Sequence, residues 1–213
     1  MPIVHQTPSV GVATSPSRDI DADLLLIPVF DDDTLSDEPD LDQASAGEVA
    51  AARGRGEFTG KPFELFITTV RGWRTSHVGL VGLGSRKECS TDRLRRAAST
   101  GALVARQRGF TRMVIAHRQE MRVAASDAAQ ALVEGAILGN FDIGSYKTVD
   151  PTRVWLESVT LRAAGDPGAV ERGVERGRVL GECTNLAREL ANEPGNTLTP
   201  REFAARAESI ART

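Results

Sequence analysis

Residues 22–30 read ADLLLIPVF, an apolar run set between Asp19 and Asp21 on one side and Asp31–Asp33 on the other. Its apolar positions are continuous rather than spaced by three and four, and the run is too short for a buried helix. It fits a strand covered on both faces, which calls for a sheet between two layers. Residues 112–117, RMVIAH, read as a second short buried strand after a stop at Gly109. Further strands are expected at 62–70 and 76–84, with Arg71-Gly72-Trp73 as the hairpin turn between them. Residues 153–161, RVWLESVTL, alternate as a half-exposed strand does.

Helices fall between these strands. Residues 41–53 can form one that Gly54 and Gly56 close. In 91–108, Leu94, Ala97, Ala98, Gly101 and Ala105 share one face of a 3.6-residue period. Ser126 can cap the next helix, 126–140, marked by Ala129, Leu132, Val133, Ala136 and Ile137. Asp166-Pro167 opens a long helix to about Asn192, with Leu180, Cys183, Thr184, Ala187, Leu190 and Ala191 as its stripe. NEPGNTLTP breaks it, and Thr199-Pro200 starts a last helix through Arg212. The alternation predicts an α/β fold, a three-layer sandwich around a mixed, largely parallel sheet. Residues 1–18 form a flexible lead-in or an edge strand, 19–165 the α/β domain, 166–198 a long linker helix and turn, and 199–213 the first helix of a further unit.

Composition narrows the function. The 213 residues are 40% hydrophobic and 26% charged, which suits a globular rather than a disordered chain. The 20 Gly follow no triplet period, and 2 Cys cannot staple a disulfide scaffold. No stretch reaches the roughly 18 consecutive apolar residues of a membrane span. The opening MPIVHQTPSVGVATSPSRD lacks a basic region followed by an apolar core, so no secretory signal is expected. Cys89 and Cys183 have no CxxC partner and read as reduced thiols of a cytoplasmic protein.

Net charge is −3, but its distribution is uneven. Residues 19–48 hold 11 acidic and no basic side chains, whereas 86–122 hold 10 basic against three acidic. Either the runs are solvated faces and loops, or the basic one steers a polyanion such as DNA, which requires its arginines to share a face. Arginine supplies 23 of the 26 basic residues along the whole chain, without a basic arm.

The sequence offers few chemical candidates. His5, His77 and His117 are isolated, outside any HxH or HExxH spacing, and the latter two read as sheet-edge residues. Asp31–Asp33 lacks the glycine and terminal Glu of a calcium loop and reads as a solvated loop. No GxSxG occurs, and Cys183, on the helix stripe, reads as a small buried thiol. Gly82–Lys87, GLGSRK, follows a strand and precedes a helix as a phosphate cradle would. It lacks the third glycine of GxGxxG and the Lys-Ser/Thr of a P-loop, so a structural turn competes with a nucleotide site.

Several segments together resemble the leucine aminopeptidase (cytosol aminopeptidase) family. NLARELANEPGNTLTPREFAARA (185–207) is similar to the family's junction between its amino-terminal and catalytic domains, an Asn-x-Pro-x-Asn turn followed by Leu-Thr-Pro and a new helix. AQALVEGAILGNFDIGSYKT (129–148) resembles its Glu-Gly helix and Tyr-Lys loop. DADLLLIPVF, GEFTGKPFE (56–64) and VGLVGLGS (78–85) are similar to its early strands and loops. The resemblance implies a macrodomain-like amino-terminal domain of a cytoplasmic, homohexameric exopeptidase. Two divalent ions, Zn or Mn, would activate water there for removal of amino-terminal residues from peptides. Their ligands would lie in Asp-Ser-Gly-Gly and Asn-Thr-Asp-Ala-Glu-Gly-Arg segments, and neither occurs here. The resemblance therefore assigns no catalytic, metal or cofactor-binding residue to this chain. It implies as partners the catalytic domain and copies of the chain, with no membrane. DNA binding, or macrodomain-like binding of ADP-ribose at Gly82–Ser85, stay as alternatives.

Overall fold

The computed structural model describes residues 7–119, 121–142 and 154–212. Strand β1 is Ser9–Ala13, β2 Leu24–Phe30, β3 Leu65–Thr69, β4 His77–Gly84, β5 Arg112–Ala116 and β6 Ser158–Arg162. Helices α1 (Leu41–Ala44) and α2 (Glu48–Gly54) follow β2, α3 (Thr91–Gln107) follows β4, and α4 (Ala125–Gly139) follows β5. Helices α5 (Pro167–Asn192) and α6 (Pro200–Ala211) follow β6. The sheet runs β1-β6-β5-β2-β4-β3, parallel throughout except that β3 lies antiparallel to β4.

Every residue of β2 is buried, as its unbroken apolar run requires. Leu24, Leu26 and Phe30 pack with α3, α4 and the start of α5, whereas Leu25, Ile27 and Val29 pack with Leu41 of α1 and Val49 of α2. That period of two builds the three layers. Each buried aliphatic side chain contributes about 1.5–3 kcal/mol, so this strand is the centre of the core. The lead-in includes β1, an edge strand held by β6 alone.

Helix starts follow cap chemistry. Ser90 Oγ accepts from Arg93 N at 3.3 Å to open α3. Asp166 accepts from Gly168 N at 3.0 Å ahead of Pro167, and Thr199 Oγ1 accepts from Glu202 N at 3.3 Å ahead of Pro200.

Four expectations need correction. The helix over 41–53 is two helices, because Ala46 (φ 56°) and Gly47 (φ 83°) turn left-handed between them. Helix α4 begins at Ala125 with Ala124 at the cap position, so Ser126 lies inside the first turn and caps nothing. Strand β6 is Ser158–Arg162 rather than 153–161; Arg153 and the Tyr-Lys loop fall outside the described residues. The stripe assigned to α5 is on the wrong face. Val170, Gly173, Val174, Gly177, Gly181 and Asn185 are the buried residues, and Leu180, Cys183, Thr184, Ala187 and Ala191 are exposed. Glycine is the reason. A Cβ at Gly177 would sit 2.5 Å from Gln130 O, and one at Gly173 would collide with Ser126 O, so α4 and α5 touch through bare backbone.

Candidate functional site

Ligands of open α/β sheets bind outside the carboxyl ends of the strands, near the point where strand order reverses. Here that point lies between β2 and β5, and side chains of this chain fill it. The β2–β4 register slips between Val29 and Phe30, just after Pro28, which cannot donate to the ladder. The Pro28 carbonyl instead accepts from Arg118 Nη1 at 3.0 Å. Arg118 also donates to both oxygens of Asp33, through Nη2 at 3.0 Å and through Nη1, and to both oxygens of Asp37 at 2.8 and 2.6 Å. All five guanidinium hydrogens are thereby used.

Asp33 is as fully engaged. Its oxygens accept from Leu35 N at 2.9 Å and Phe30 N at 3.4 Å, and Arg86 Nη2 lies 3.8 Å away. Burial pushes its pKa up, but Arg118 and the two amides more than offset that and hold the carboxyl below its ordinary range. Beside it, Glu38 accepts from Ser17 Oγ and Arg162 Nη2, both at 2.6 Å. Burial still raises its pKa despite those partners. The solvated-loop expectation therefore holds for Asp31 and Asp32, which are exposed, and fails at Asp33. Asp33 is buried and tied to a residue 85 positions away, a partner invisible to local pattern.

The glycines of GLGSRK have a packing reason. A Cβ at Gly82 would collide with Lys61 O, and Gly84, at φ +68°, would press on Pro62. Segment 60–62 lies directly against this end of β4, with Gly84 N donating to Gly60 O at 2.7 Å. The turn serves that contact, and Arg86 beside it is committed to Asp32 at 2.7 Å.

The basic run is also spent internally. Arg86, Arg93, Arg95, Arg96 and Arg112 pair with Asp32, Glu88, Glu134, Asp92 and Asp21. Arg106 donates to the carbonyls of Val154, Gly139 and Phe141, and Arg118 is saturated as described. Seven of the ten basic side chains between 86 and 122 thus have partners within the protein.

The remaining candidates are dispersed. His5 lies outside the described residues. His77 starts β4, with Nδ1 2.9 Å from Ser76 Oγ and its ring against Phe110. His117 lies at the end of a strand as expected, but is buried rather than at an open edge. It follows β5, between β2 and β6. Cys89 is half-buried, and burial raises its thiol pKa. Cys183 is exposed, not buried, because α5 turns its glycine face inward. Among the described residues no three His, Cys, Asp or Glu side chains converge to hold a metal ion, and no helix is long and apolar enough to cross a membrane. With Asp33 and Glu38 bound to arginines, this donor set does not fit a dinuclear metal centre.

What the surface does offer is an uncovered helical flank. Helix α6 buries none of its residues and leaves Phe203 and Ile210 about half exposed. On α5, Val179 and Leu180 are exposed alongside Cys183 and Ala187. Arg206 grips Glu193 through two contacts at 2.7 and 3.0 Å and so fixes α6 to the end of α5. The turn between them closes on Pro194 O, which accepts from Thr197 N and Leu198 N at 2.8 and 2.9 Å.

The fold and this flank define an α/β domain whose sheet crevice is closed by its own ion pairs and whose last two helices carry open apolar faces. Residues 26–150 match the cytosol aminopeptidase family, N-terminal domain, and the chain belongs to that family. A probable cytosol aminopeptidase of Solibacter usitatus is 32% identical over 203 residues, 95% of this chain and 39% of that protein. One from Thermosynechococcus vestitus is 35% identical over 203 residues, 92% of this chain and 40% of the other. Among solved structures, a mutant leucine aminopeptidase of tomato superposes with a TM-score of 0.81 at 25% identity, over 96% of this chain and 42% of that one. The chain spans about two fifths of the length of these relatives. Sequence reasoning missed the Arg118–Asp33–Asp37 cluster and the buried state of His117; neither has a local signal.

Proposed function

We propose that this chain is the non-catalytic amino-terminal part of a cytoplasmic leucyl aminopeptidase, a two-metal enzyme that releases amino-terminal residues from peptides. In this reading α5 is the linker helix and α6 the first helix of the catalytic half. The metal ligands lie in the three fifths of the relatives that the chain does not match, and the metal is Zn or Mn. One observation carries the reading: the match to the Solibacter protein covers 95% of this chain but only 39% of that protein. The buried carboxylates of Asp33 and Glu38, both bound to arginines, supply support from chemistry. The uncovered flank is the surface that the catalytic half, and in a homohexamer a neighbouring copy, would cover.

The test is hydrolysis of leucine p-nitroanilide with added manganese or zinc. The purified 213-residue chain is expected to release no p-nitroaniline above a mock preparation. A fusion of the chain to the unmatched part of the Solibacter relative is expected to turn over. Metal-dependent turnover by the chain alone would overturn the reading.

A further inference from the structure

Arg162 ends β6, the strand beside β5, and is satisfied far less than Arg118. Its side chain is 14% exposed, yet among the described residues it donates only through Nη2, to Glu38 Oε1 at 2.6 Å. Its Nε is buried without a partner. A guanidinium carries five N–H groups, and leaving them unmet in the interior is costly, so the site calls for an acceptor beside Arg162. Glu38, 7% exposed, is also half used. Ser17 Oγ and Arg162 both reach its Oε1, and nothing among the described residues donates to Oε2.

Both side chains line a cavity of about 270 Å³, together with Ser17, Arg18, Asp37, Asp40 and Trp73. Asp37 already holds Arg118, and Asp40 accepts from Arg18 at 3.2 Å. An anion brought to Arg162 would meet the carboxylates of Asp37, Glu38 and Asp40, and a cation brought to Glu38 would meet Arg162 and Arg18. A neutral group with an acceptor beside a donor suits both Arg162 and Glu38. A carbonyl oxygen, with two lone pairs, answers a guanidinium better than a ring nitrogen with one. Half-buried Trp73 adds a flat wall for a planar ring.

The volume approaches twice the roughly 150 Å³ of a cavity that takes up benzene, which is room for a two-ring heterocycle of about ten heavy atoms. A second cavity, of about 410 Å³, shares Arg18, Asp40 and Trp73 with the first and adds Gln43 and Arg71. A polar substituent on the heterocycle can extend into it. We propose that the Arg162–Glu38–Trp73 cavity binds the base of an oxopurine nucleoside such as inosine or guanosine. The lactam carbonyl accepts from Arg162, and the neighbouring ring N–H donates to Glu38 Oε2. The ring system lies against Trp73, and the ribose extends toward Asp40 and Gln43.

The experiment is a calorimetric titration of the full chain at neutral pH with inosine, 1-methylinosine, adenosine and acetate. Trp73 emission is followed in parallel in a Trp155→Phe chain, where no other tryptophan remains. Inosine is expected to bind saturably and to quench Trp73. Adenosine, which lacks the carbonyl, and 1-methylinosine, which lacks the ring N–H, are expected to bind about tenfold more weakly or worse. Arg162→Lys keeps the charge beside Glu38 but not the fork of donors, and is expected to weaken inosine about tenfold. Trp73→Leu removes the stacking wall alone, so it is expected to weaken inosine and 1-methylinosine by the same factor, about tenfold. No heat from inosine, 1-methylinosine or adenosine binding as tightly as inosine, saturable binding of acetate, or an Arg162→Lys chain of unchanged affinity would overturn the proposal. The readout is binding, not hydrolysis, so the result is separate from the aminopeptidase reading.

Discussion

Arg118 and Asp33 meet end-on, Nη1 and Nη2 against both carboxylate oxygens, at the carboxyl ends of two adjacent strands, with side chains 2% and 1% exposed. A pair this buried gives little net stability over a well-packed apolar pair, but losing one member strands the other charge in the interior. Arg118→Met is therefore expected to cost about 3–5 kcal/mol. Adding Asp33→Leu to it should restore part of the loss, because the stranded carboxylate disappears. Urea denaturation of the wild type, both single variants and the double variant measures this. A double variant no more stable than Arg118→Met would show that the pair is not coupled.

Acid should weaken the fold in two stages. His117 is held below its ordinary 6.5, so the unfolded chain takes up its proton first and stability falls as pH drops below that value. Asp33 is held below its ordinary 3.8, so its contribution is present above that value and is lost as pH falls through the lower folded value. Glu38 runs the other way. Its raised value makes its contribution full below 4.5 and lost as pH rises through the folded value. Thermal melts from pH 7 to pH 3 are expected to show the first decline near pH 6 in the wild type and not in His117→Phe. In Glu38→Gln, stability relative to wild type should rise between pH 4 and pH 7.

Much of this architecture can be read from local pattern. The run at 24–30 needed two covered faces and has them, and Leu94, Ala97, Ala98, Gly101 and Ala105 form the buried face of α3 as their spacing required. Asp166-Pro167 and Thr199-Pro200 open their helices. What escaped was contact between distant positions. Hydrophobicity pointed to Leu180 and Cys183 on α5, but the helix buries the face where glycines allow backbone to approach backbone. Asp33 looked solvated because its acidic neighbours are, and Arg118 lies 85 residues further on. Closure of the crevice is a tertiary fact of the same kind.

The glycine seam gives a prediction with an informative sign. Alanine is favoured over glycine inside a helix by about 0.8–1.0 kcal/mol. At Gly177, however, the added Cβ would lie 2.5 Å from Gln130 O and 3.1 Å from Gln130 Cα. Forcing α4 and α5 apart costs about 1–3 kcal/mol, so Gly177→Ala should be destabilising despite its better propensity. Gly54, at the end of α2, has nothing within 4 Å of its would-be Cβ. Gly54→Ala is expected to be neutral or slightly stabilising. Chemical denaturation of both variants checks the contrast, and a stabilised Gly177→Ala chain would mean that the helices are not in backbone contact.

The open flank should make the isolated chain sticky. Leu180 is 38% and Phe203 52% exposed, and Ile210, seven residues beyond Phe203, continues the same face of α6. Exposed apolar side chains of this size drive association when nothing covers them. Sedimentation velocity over about two decades of concentration should therefore show reversible self-association. Leu180→Glu together with Phe203→Glu should return the chain to a monomer. Neither side chain belongs to the buried core, so folding stability should change by no more than about 0.5 kcal/mol per site. A wild-type chain that sediments as a compact monomer at every concentration would mean that these faces do not pair with another copy, and the charge substitutions would then leave its behaviour unaltered.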